Sequence, residues 1–495
     1  MAEKSSSKIG SFIKGSTILV LSNMCLKAIN FFLLPLYTDN LTTEMLGVSD
    51  SITNLTGILL PLLTMGLDSA FSAFYFDKED PDRSKKVFHT LTRFFFMIGF
   101  IPILMIAASP VISQILFHQT DYFYIVSFAL VSVSFNLWYL PYSLELRLKN
   151  KMFLFGLSNL ISSLSMILLN VLFVSVLHLG AMSLILSMAI VHCEMLLILL
   201  FMVKQKPQKE FYQKSLMKPM LKFAIPLMPM SIMMWILSLS DQYVILSHHG
   251  EEAVGIYGIG LRFASLLNVV ISAVSVAYTT FAFSSKDDSN AKKMYYYVFN
   301  IISVVLLGVS FTVSLFGKEI VGLMTEHSYH EAYQTLRDLM FAQSLYAMTT
   351  IIGYGIYFAK KSIYSLISVS TGAIVNLGLN LILVPEYGII AAALTTLIGY
   401  ALHYFITMYF SKKVFPCQYG ELKVTLVLIC LYAVSYFTSE LSLMYKIPIW
   451  CVCAGVSLFL FRKVISDVVK FAKEKMKSKK KKPEEEEAVA VEGEA

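Results

Sequence analysis

Long apolar segments recur along this 495-residue chain from one end to the other. Each runs for about 18 to 25 residues, the length that an α-helix needs to cross about 30 Å of hydrocarbon. Hydrophobic residues make up 56% of the chain and charged residues 15%, so the apolar surface exceeds what one soluble core could cover. The shorter alternating segments of a transmembrane β-barrel are absent. The sequence therefore predicts an all-α integral membrane protein.

About fourteen segments are long and apolar enough to span a membrane. The predicted spans are roughly 12–37, 45–70, 87–109, 122–144, 152–177, 179–203, 219–246, 252–282, 294–316, 331–358, 362–384, 387–410, 422–439 and 445–463. The first lacks a cleavage site of small residues and is longer than a signal peptide, so we expect it to be retained.

Lysine and arginine are concentrated in alternate loops, and the opposite loops contain only Lys318 and Lys446. Because cytoplasmic loops carry the excess of basic residues, both termini and the loop 204–218 are predicted to be cytoplasmic, with 110–121 and 317–330 outside. The net charge of +7 has no nucleic-acid motif around it and indicates orientation and attraction to anionic membrane lipids. The tail that ends KKKKPEEEEAVAVEGEA has almost nothing to pack and is predicted to be disordered.

An internal repeat divides the chain. A shift of 208 residues (255 − 47) places Leu46-Gly47-Val48 on Val254-Gly255-Ile256 and Asn54 on Arg262. We expect two six-helix lobes, 1–205 and 206–411, an extra helix pair at 412–465 and the tail at 466–495. Because six is even, the lobes should be related by an axis along the membrane normal, an arrangement that suits alternating access.

Polar residues form a stripe on each of the first two spans. At about 100° per residue, Ser16, Asn23, Lys27 and Asn30 share one face of the first span. The second span has a similar line of side chains, formed by Asp50, Asn54, Gly57, Pro61, Thr64 and Asp68. These faces predict the wall of a polar cavity.

Four basic residues fall inside predicted spans: Lys27, Arg93, Arg262 and Arg337. Charges in a membrane are costly and usually serve a function or have an acidic partner. For Lys27 and Arg262, near the midplane, we weigh contact with an anionic, hydroxyl-bearing substrate against an ion pair with an acid such as Asp50 or Glu194. Arg93 could instead extend to the interface, and Arg337 could pair with the adjacent Asp338.

The candidate substrate-binding residues are thus Lys27, Arg262, Asn23, Asn30, Asn54, Arg93 and Arg337. The six cysteines lack metal-ligand spacing, and no catalytic residue, cofactor or metal site is expected.

The chain resembles the polysaccharide transporter branch of the multidrug/oligosaccharidyl-lipid/polysaccharide (MOP) flippase superfamily, which includes Wzx-type oligosaccharide flippases. The resemblance extends over nearly all of residues 8–465. It is carried by the opening KGSTILVLSNMCLKAINFFLLPLYTDNLTTEMLGVSD, by GLDSAFSAFYFDKED and by LKFAIPLMPMSIMMWILSLSDQYVILSHHGEEAVGIYGIGLRFASLL.

This resemblance implies a transporter that moves an undecaprenyl-pyrophosphate-linked glycan between the leaflets of the bacterial cytoplasmic (inner) membrane, for surface polysaccharides such as O-antigen. It also implies that basic residues of the first and eighth spans, here Lys27 and Arg262, line a central cavity, and that sodium or a proton could be the coupling ion. The alternatives are a cation-coupled multidrug exporter of the same superfamily and a membrane glycan polymerase or transferase.

Overall fold

The computed structural model describes residues 33–76, 80–149, 151–204, 208–268, 271 and 291–492, with the side chains beyond 467 left aside. Within these ranges all regular structure is helical. The helices of the first part of the chain are α1 Leu34–Asn40, α2 Thr43–Thr64, α3 Leu67–Phe74, α4 Arg83–Ile98, α5 Phe100–Met105, α6 Ser109–Phe117, α7 Phe123–Leu148, α8 Met152–Asn170 and α9 Met182–Val203.

The second part begins with a connection that contains two short 3-10 turns, Lys209–Phe211 and Lys214–Leu216. Its helices are α10 Met217–Ala224, α11 Met228–Ser265, α12 Ala291–Leu315, α13 Gly317–Met324, α14 Tyr333–Phe358, α15 Ile363–Val414, α16 Glu421–Thr438 and α17 Leu443–Glu492.

Eleven segments of the described chain are long and apolar enough to cross a membrane. Two of them are 52 residues long, and a glycine with positive φ interrupts each, Gly250 at 76° and Gly388 at 59°. Counting these two as pairs gives thirteen spans (11 + 2), and most of the predicted span 12–37 lies outside the described residues. The all-α membrane fold is therefore confirmed, and the number of spans is consistent with about fourteen.

Hydrogen bonds show that the chain reverses direction at both glycines. Across Gly250, Tyr257 donates to Asp241. Across Gly388, the Nδ2 of Asn376 lies 3.3 Å from the Oγ1 of Thr396. Partners that approach each other from both sides of one glycine indicate two antiparallel helices joined by a one-residue turn. Glycine suits this position because other residues pay a steric cost at positive φ.

The two copies of the repeat meet at a close helix crossing of α2 and α11. A Cβ atom added to Gly47 would lie 1.7 Å from the Glu251 carbonyl oxygen, and one added to Gly255 would lie 1.9 Å from the Thr43 carbonyl oxygen. Glu251 and Gly255 are the repeat equivalents of Thr43 and Gly47, so each contact is the counterpart of the other. This reciprocity is what an axis between two related lobes produces.

The chain passes from the first lobe to the second near a proline-containing turn. Helix α10 still packs on the first lobe, because a Cβ at Gly66 would lie 2.7 Å from the Ala224 carbonyl oxygen. The 3-10 turn Ile225–Leu227 follows, and α11 then packs against α15. The lobe boundary at 205/206 remains a prediction from the repeat, whereas the packing changes lobes about twenty residues later.

The extra helix pair, α16 and α17, packs on α12 and α14 of the second lobe. Lys446 at the beginning of α17 is fully buried, and its Nζ lies 2.7 and 2.9 Å from the two carboxylate oxygens of Glu319. The Trp450 indole nitrogen also donates to Thr312 at 2.8 Å. These polar contacts fix the pair to the bundle.

The outer loops expected at 110–121 and 317–330 are partly helical in the structure. Helix α6 extends to Phe117, so most of the loop predicted at 110–121 is helical. The backbone of helix α17 is described as far as Glu492, and the disorder expected for the tail at 466–495 stays a prediction.

Candidate substrate pathway between the lobes

An ion pair connects the two lobes beside the glycine crossing. The Arg262 guanidinium on α11 donates to both carboxylate oxygens of Asp50 on α2, at 2.7 and 2.8 Å. The side chains are only 22% and 14% exposed. A bidentate pair of this kind combines charge with fixed geometry.

Gly258 makes this ion pair possible. A Cβ at Gly258 would lie 2.2 Å from Asp50 Oδ2 and 3.1 Å from Arg262 Nη1. Because helical side chains point toward the N-terminus of their helix, Arg262 reaches back over Gly258, one turn earlier, to meet the carboxylate. The two charges cancel in this conformation, so Arg262 already has a partner.

Asn54 lies one turn further along the same face of α2. Its Nδ2 donates to Gln242 Oε1 at 2.6 Å, and its carbonyl oxygen accepts from the Trp235 indole nitrogen at 3.3 Å. Both partners belong to the second lobe. The predicted polar stripe of the second span thus faces the other lobe at Asp50 and Asn54.

The two remaining candidate residues that the structure describes, Arg93 and Arg337, do not join this cluster. Lys27, Asn23 and Asn30 lie outside the described residues. Arg337 pairs with Asp338 at 3.1 Å and lies 4.5 Å from the Tyr436 ring, where it supports the packing of the extra helix pair. Arg93 lies in a separate groove of the first lobe, with its guanidinium 4.4 Å from the Tyr212 ring.

A cavity of about 780 Å³ opens within the second lobe between α11, α14 and α15. Its wall includes Trp235, which connects it to Asn54 and hence to the interface between the lobes. Among the described residues, the lining contains no Asp, Glu, Lys or Arg; it consists of apolar, aromatic and hydroxyl side chains, with His403 at one side.

This cavity was not predicted from the sequence. One signal was available, because Tyr346, Thr350, Tyr354 and Tyr357 repeat at helical spacing on α14 and all line it. Aromatic faces and hydroxyl groups are the groups that contact sugar rings and their hydroxyls.

Asp241 on α11 was also missed. It is 1% exposed, and it accepts hydrogen bonds from Tyr257, from Thr396 Oγ1 at 3.0 Å and from the Gln242 backbone at 2.9 Å. In the part of the chain that the structure describes, it forms no ion pair. The candidate residues inside the predicted spans were chosen for positive charge or for a place on a polar stripe, and Asp241 met neither condition.

Neutral amide and hydroxyl groups surround this carboxylate. Asn376 donates to Thr396 at 3.3 Å, Asn380 donates to Asn376 at 3.3 Å, and Thr395 donates to Asn380. We call Asp241, Tyr257, Asn376, Asn380, Thr395 and Thr396 the Asp241 network. No group of three or more His, Cys, Asp or Glu residues suited to a metal ion occurs in the described ranges.

Two related helical lobes that contact each other at the glycine crossing define the class of the protein, a multi-pass α-helical membrane protein. The structure is similar to lipid II flippase MurJ in its inward closed conformation, with a TM-score of 0.71 and 16% identity, over 91% of this chain and 100% of that one. It is also similar to an inward-facing multidrug resistance MATE family transporter of the MOP superfamily, with a TM-score of 0.63 and 16% identity, over 79% and 94% of the two chains.

The sequence itself shows the family. Residues 41–334 match the family described as polysaccharide biosynthesis protein, and the chain belongs to that family. This match and the fold confirm the resemblance to a flippase-type member of the MOP superfamily, a transporter rather than an enzyme. Among curated proteins, no sequence matches significantly.

Proposed function

We propose that this protein moves an undecaprenyl-pyrophosphate-linked oligosaccharide from the inner to the outer leaflet of the bacterial cytoplasmic membrane, by alternating access, for cell-surface polysaccharides such as O-antigen. We also propose, from the basic residues in alternate loops, that both termini are cytoplasmic. The observation that carries the proposal is the bidentate pair of Arg262 and Asp50 across the lobes. A cavity suited to sugars lies in the second lobe, and its Trp235 contacts Asn54, one turn from Asp50.

In this mechanism Arg262 exchanges partners. With the lobes together at the glycine crossing, Asp50 neutralises the guanidinium. A pyrophosphate that enters between the lobes presents oxygen pairs with the same bidentate geometry and more negative charge, so it competes for Arg262. Loss of the Asp50 contact then weakens the connection between the lobes and favours their separation. Lys27, on the first span, is proposed as the second cation for the phosphates.

Flipping by purified protein in vesicles tests the role of Arg262. We expect Arg262→Ala to lower glycan-lipid binding and flipping. Arg262→Lys should retain part of both, because lysine keeps the positive charge but cannot make the bidentate contact of a guanidinium. The Asp50→Ala/Arg262→Ala double variant removes both charges. Its abundance in the membrane should match that of the wild-type protein, whereas its transport should stay low. If the double variant recovers transport as well, Arg262 is only the structural partner of Asp50.

The Asp241 network is the proposed site of the coupling cation. A carboxylate buried among neutral groups in a membrane needs a proton or a bound cation to offset its charge, and the surrounding oxygens are ligands that suit sodium. We expect Asp241→Asn to abolish the dependence of flipping on the sodium or proton gradient. Glu194→Gln is the control, since Glu194 accepts from Ser165 at 3.0 Å elsewhere in the bundle. Unchanged gradient dependence in Asp241→Asn would exclude this site.

Export of cationic drugs is the competing function, because the multidrug transporters share the fold. A cationic drug needs an acidic cavity, and the lining of the second-lobe cavity has no acid among the described residues. Cells that express the protein should therefore not extrude cationic dyes, whereas dye extrusion that depends on this cavity would favour the exporter.

A further inference from the structure

A separate groove on the surface of the first lobe lies between α4, α7 and α9. It encloses about 460 Å³, and its long wall is formed by Phe96, Trp138, Leu196 and Leu200. Phe96 and Leu200 are 55% and 42% exposed, as expected for side chains that face lipid tails. We call this feature the first-lobe groove.

The polar end of the first-lobe groove carries a positive charge that no acid neutralises. Arg93 is exposed there and forms no ion pair with any residue that the structure describes. Among the residues that the structure describes, the lining includes no Asp or Glu. The hydroxyl of Thr92, the neighbouring residue, is buried and has no hydrogen-bond partner within the described ranges. A cation and a free hydroxyl at the end of an apolar groove match a phosphate joined to an acyl chain.

The connection between the lobes builds this polar end and fixes it in place. Phe211 stacks on His89 with 5.9 Å between ring centroids, and Lys85 Nζ lies 4.8 Å from the Phe211 ring. The Gln213 backbone donates to Thr90 Oγ1 at 3.0 Å, which anchors the chain to α4 just beyond Tyr212. These contacts hold the connection on α4, so the polar end of the groove is preformed.

The position of Arg93 along α4 fits an interfacial phosphate. It lies ten residues from the helix start at Arg83, or about 15 Å along the axis, and its side chain can extend back toward the basic end of the helix. The apolar wall begins one turn deeper, at Phe96. A phosphate therefore lies at the boundary and an acyl chain lies along the wall.

We propose that the first-lobe groove binds one anionic glycerophospholipid from the leaflet at the basic end of α4. Its phosphate contacts Arg93 and Thr92, and an acyl chain lies along Phe96, Trp138 and Leu200. This site is distinct from the pathway between the lobes, and its ligand is a lipid of the bilayer rather than the transported molecule.

Trp138 reports directly on the occupant. The full-length protein with Trp235→Phe and Trp450→Phe keeps Trp138 as its one tryptophan. It is placed in bilayers that mix phosphatidylcholine and phosphatidylglycerol, with either lipid brominated in its acyl chains to quench fluorescence. We expect roughly a fivefold preference of the Trp138 site for phosphatidylglycerol, since a basic residue at the surface contributes about 1 kcal/mol toward an anionic lipid.

Arg93→Gln should reduce this preference to about one, and Arg93→Lys should keep part of it. The matched control is Arg462→Gln, because Arg462 is an exposed arginine 4.2 Å from the Phe459 ring and does not line this groove. It should leave the preference unchanged. No preference in the parent protein, or full preference in Arg93→Gln, would overturn the proposal. So would displacement of brominated phosphatidylglycerol by an equimolar polyprenyl diphosphate, which would assign the groove to the transported substrate.

Discussion

At the scale of residues, the contact between the lobes depends on glycines whose role is visible only in three dimensions. The repeat placed Gly47 on Gly255, but nothing in the sequence showed that the two would meet. The sequence named Asp50 as one possible partner of Arg262, and that pair is the observed one. The sequence did not predict Asp241, because its neutral partners come from beyond the turn at Gly250, as Tyr257 does, and from the distant helix α15, as Thr396 does.

Gly255→Ala should weaken the contact between the lobes. The new Cβ would lie 1.9 Å from the Thr43 carbonyl oxygen, a backbone atom that cannot rotate away, so α2 and α11 must separate. Overpacking of this kind costs about 1–3 kcal/mol. We expect a lower thermal unfolding midpoint for the purified protein. Gly378→Ala is the control, because nothing lies within 4 Å of its added Cβ. Equal midpoints for the two variants would refute the close crossing.

At the scale of elements, hydropathy predicted the straight spans well and the broken ones poorly. The predicted spans 152–177 and 331–358 match the helical segments Met152–Val176 and Tyr333–Phe358 closely. The span predicted at 45–70 is instead interrupted at Met65 and Gly66, which both have positive φ. A hydropathy average measures how apolar a segment is, and it does not detect a change of backbone conformation inside that segment.

The attachment of the extra helix pair rests on the buried charge of Lys446. Glu319→Gln would leave this lysine without its carboxylate, at a cost of about 3–5 kcal/mol for a buried pair. We expect a clearly lower unfolding midpoint, largely recovered in the Glu319→Gln/Lys446→Met double variant.

The neighbouring pair of Lys318 and Glu440 supplies the control for this prediction. Its side chains are 55% and 61% exposed, so Lys318→Gln should change the unfolding midpoint little. If Glu319→Gln lowered the unfolding midpoint as little as Lys318→Gln does, the pair of Lys446 and Glu319 would not be what holds α17 to the bundle.

At the scale of the whole molecule, the number of spans and the repeat could be predicted because both follow from periodic patterns along the chain. The second-lobe cavity could not, because α11, α14 and α15 must be packed before the space between them exists. The lobes contact each other through Asn54 and Gln242 as well as through the ion pair. Alternating access requires this interface to open.

Crosslinking across the lobes should therefore stop transport reversibly. In a protein whose six native cysteines are replaced by serine, Asn54→Cys and Gln242→Cys are joined by a short, reducible bifunctional thiol reagent. We expect flipping to cease on crosslinking and to return on reduction, while each single-cysteine variant is insensitive to the reagent. Full transport by completely crosslinked protein would show that the two lobes do not separate here.

We propose that this protein by itself moves a lipid-linked oligosaccharide between leaflets. The most direct measurement places purified protein and a defined undecaprenyl-pyrophosphate-linked oligosaccharide in sealed vesicles, and follows the fraction of the glycan that an impermeant glycan-modifying enzyme can reach. We expect protein-dependent exchange between leaflets that is strongly reduced in Arg262→Ala. The proposal is contradicted if the inner-leaflet glycan stays inaccessible to the enzyme in vesicles that contain correctly folded wild-type protein, under both a sodium and a proton gradient.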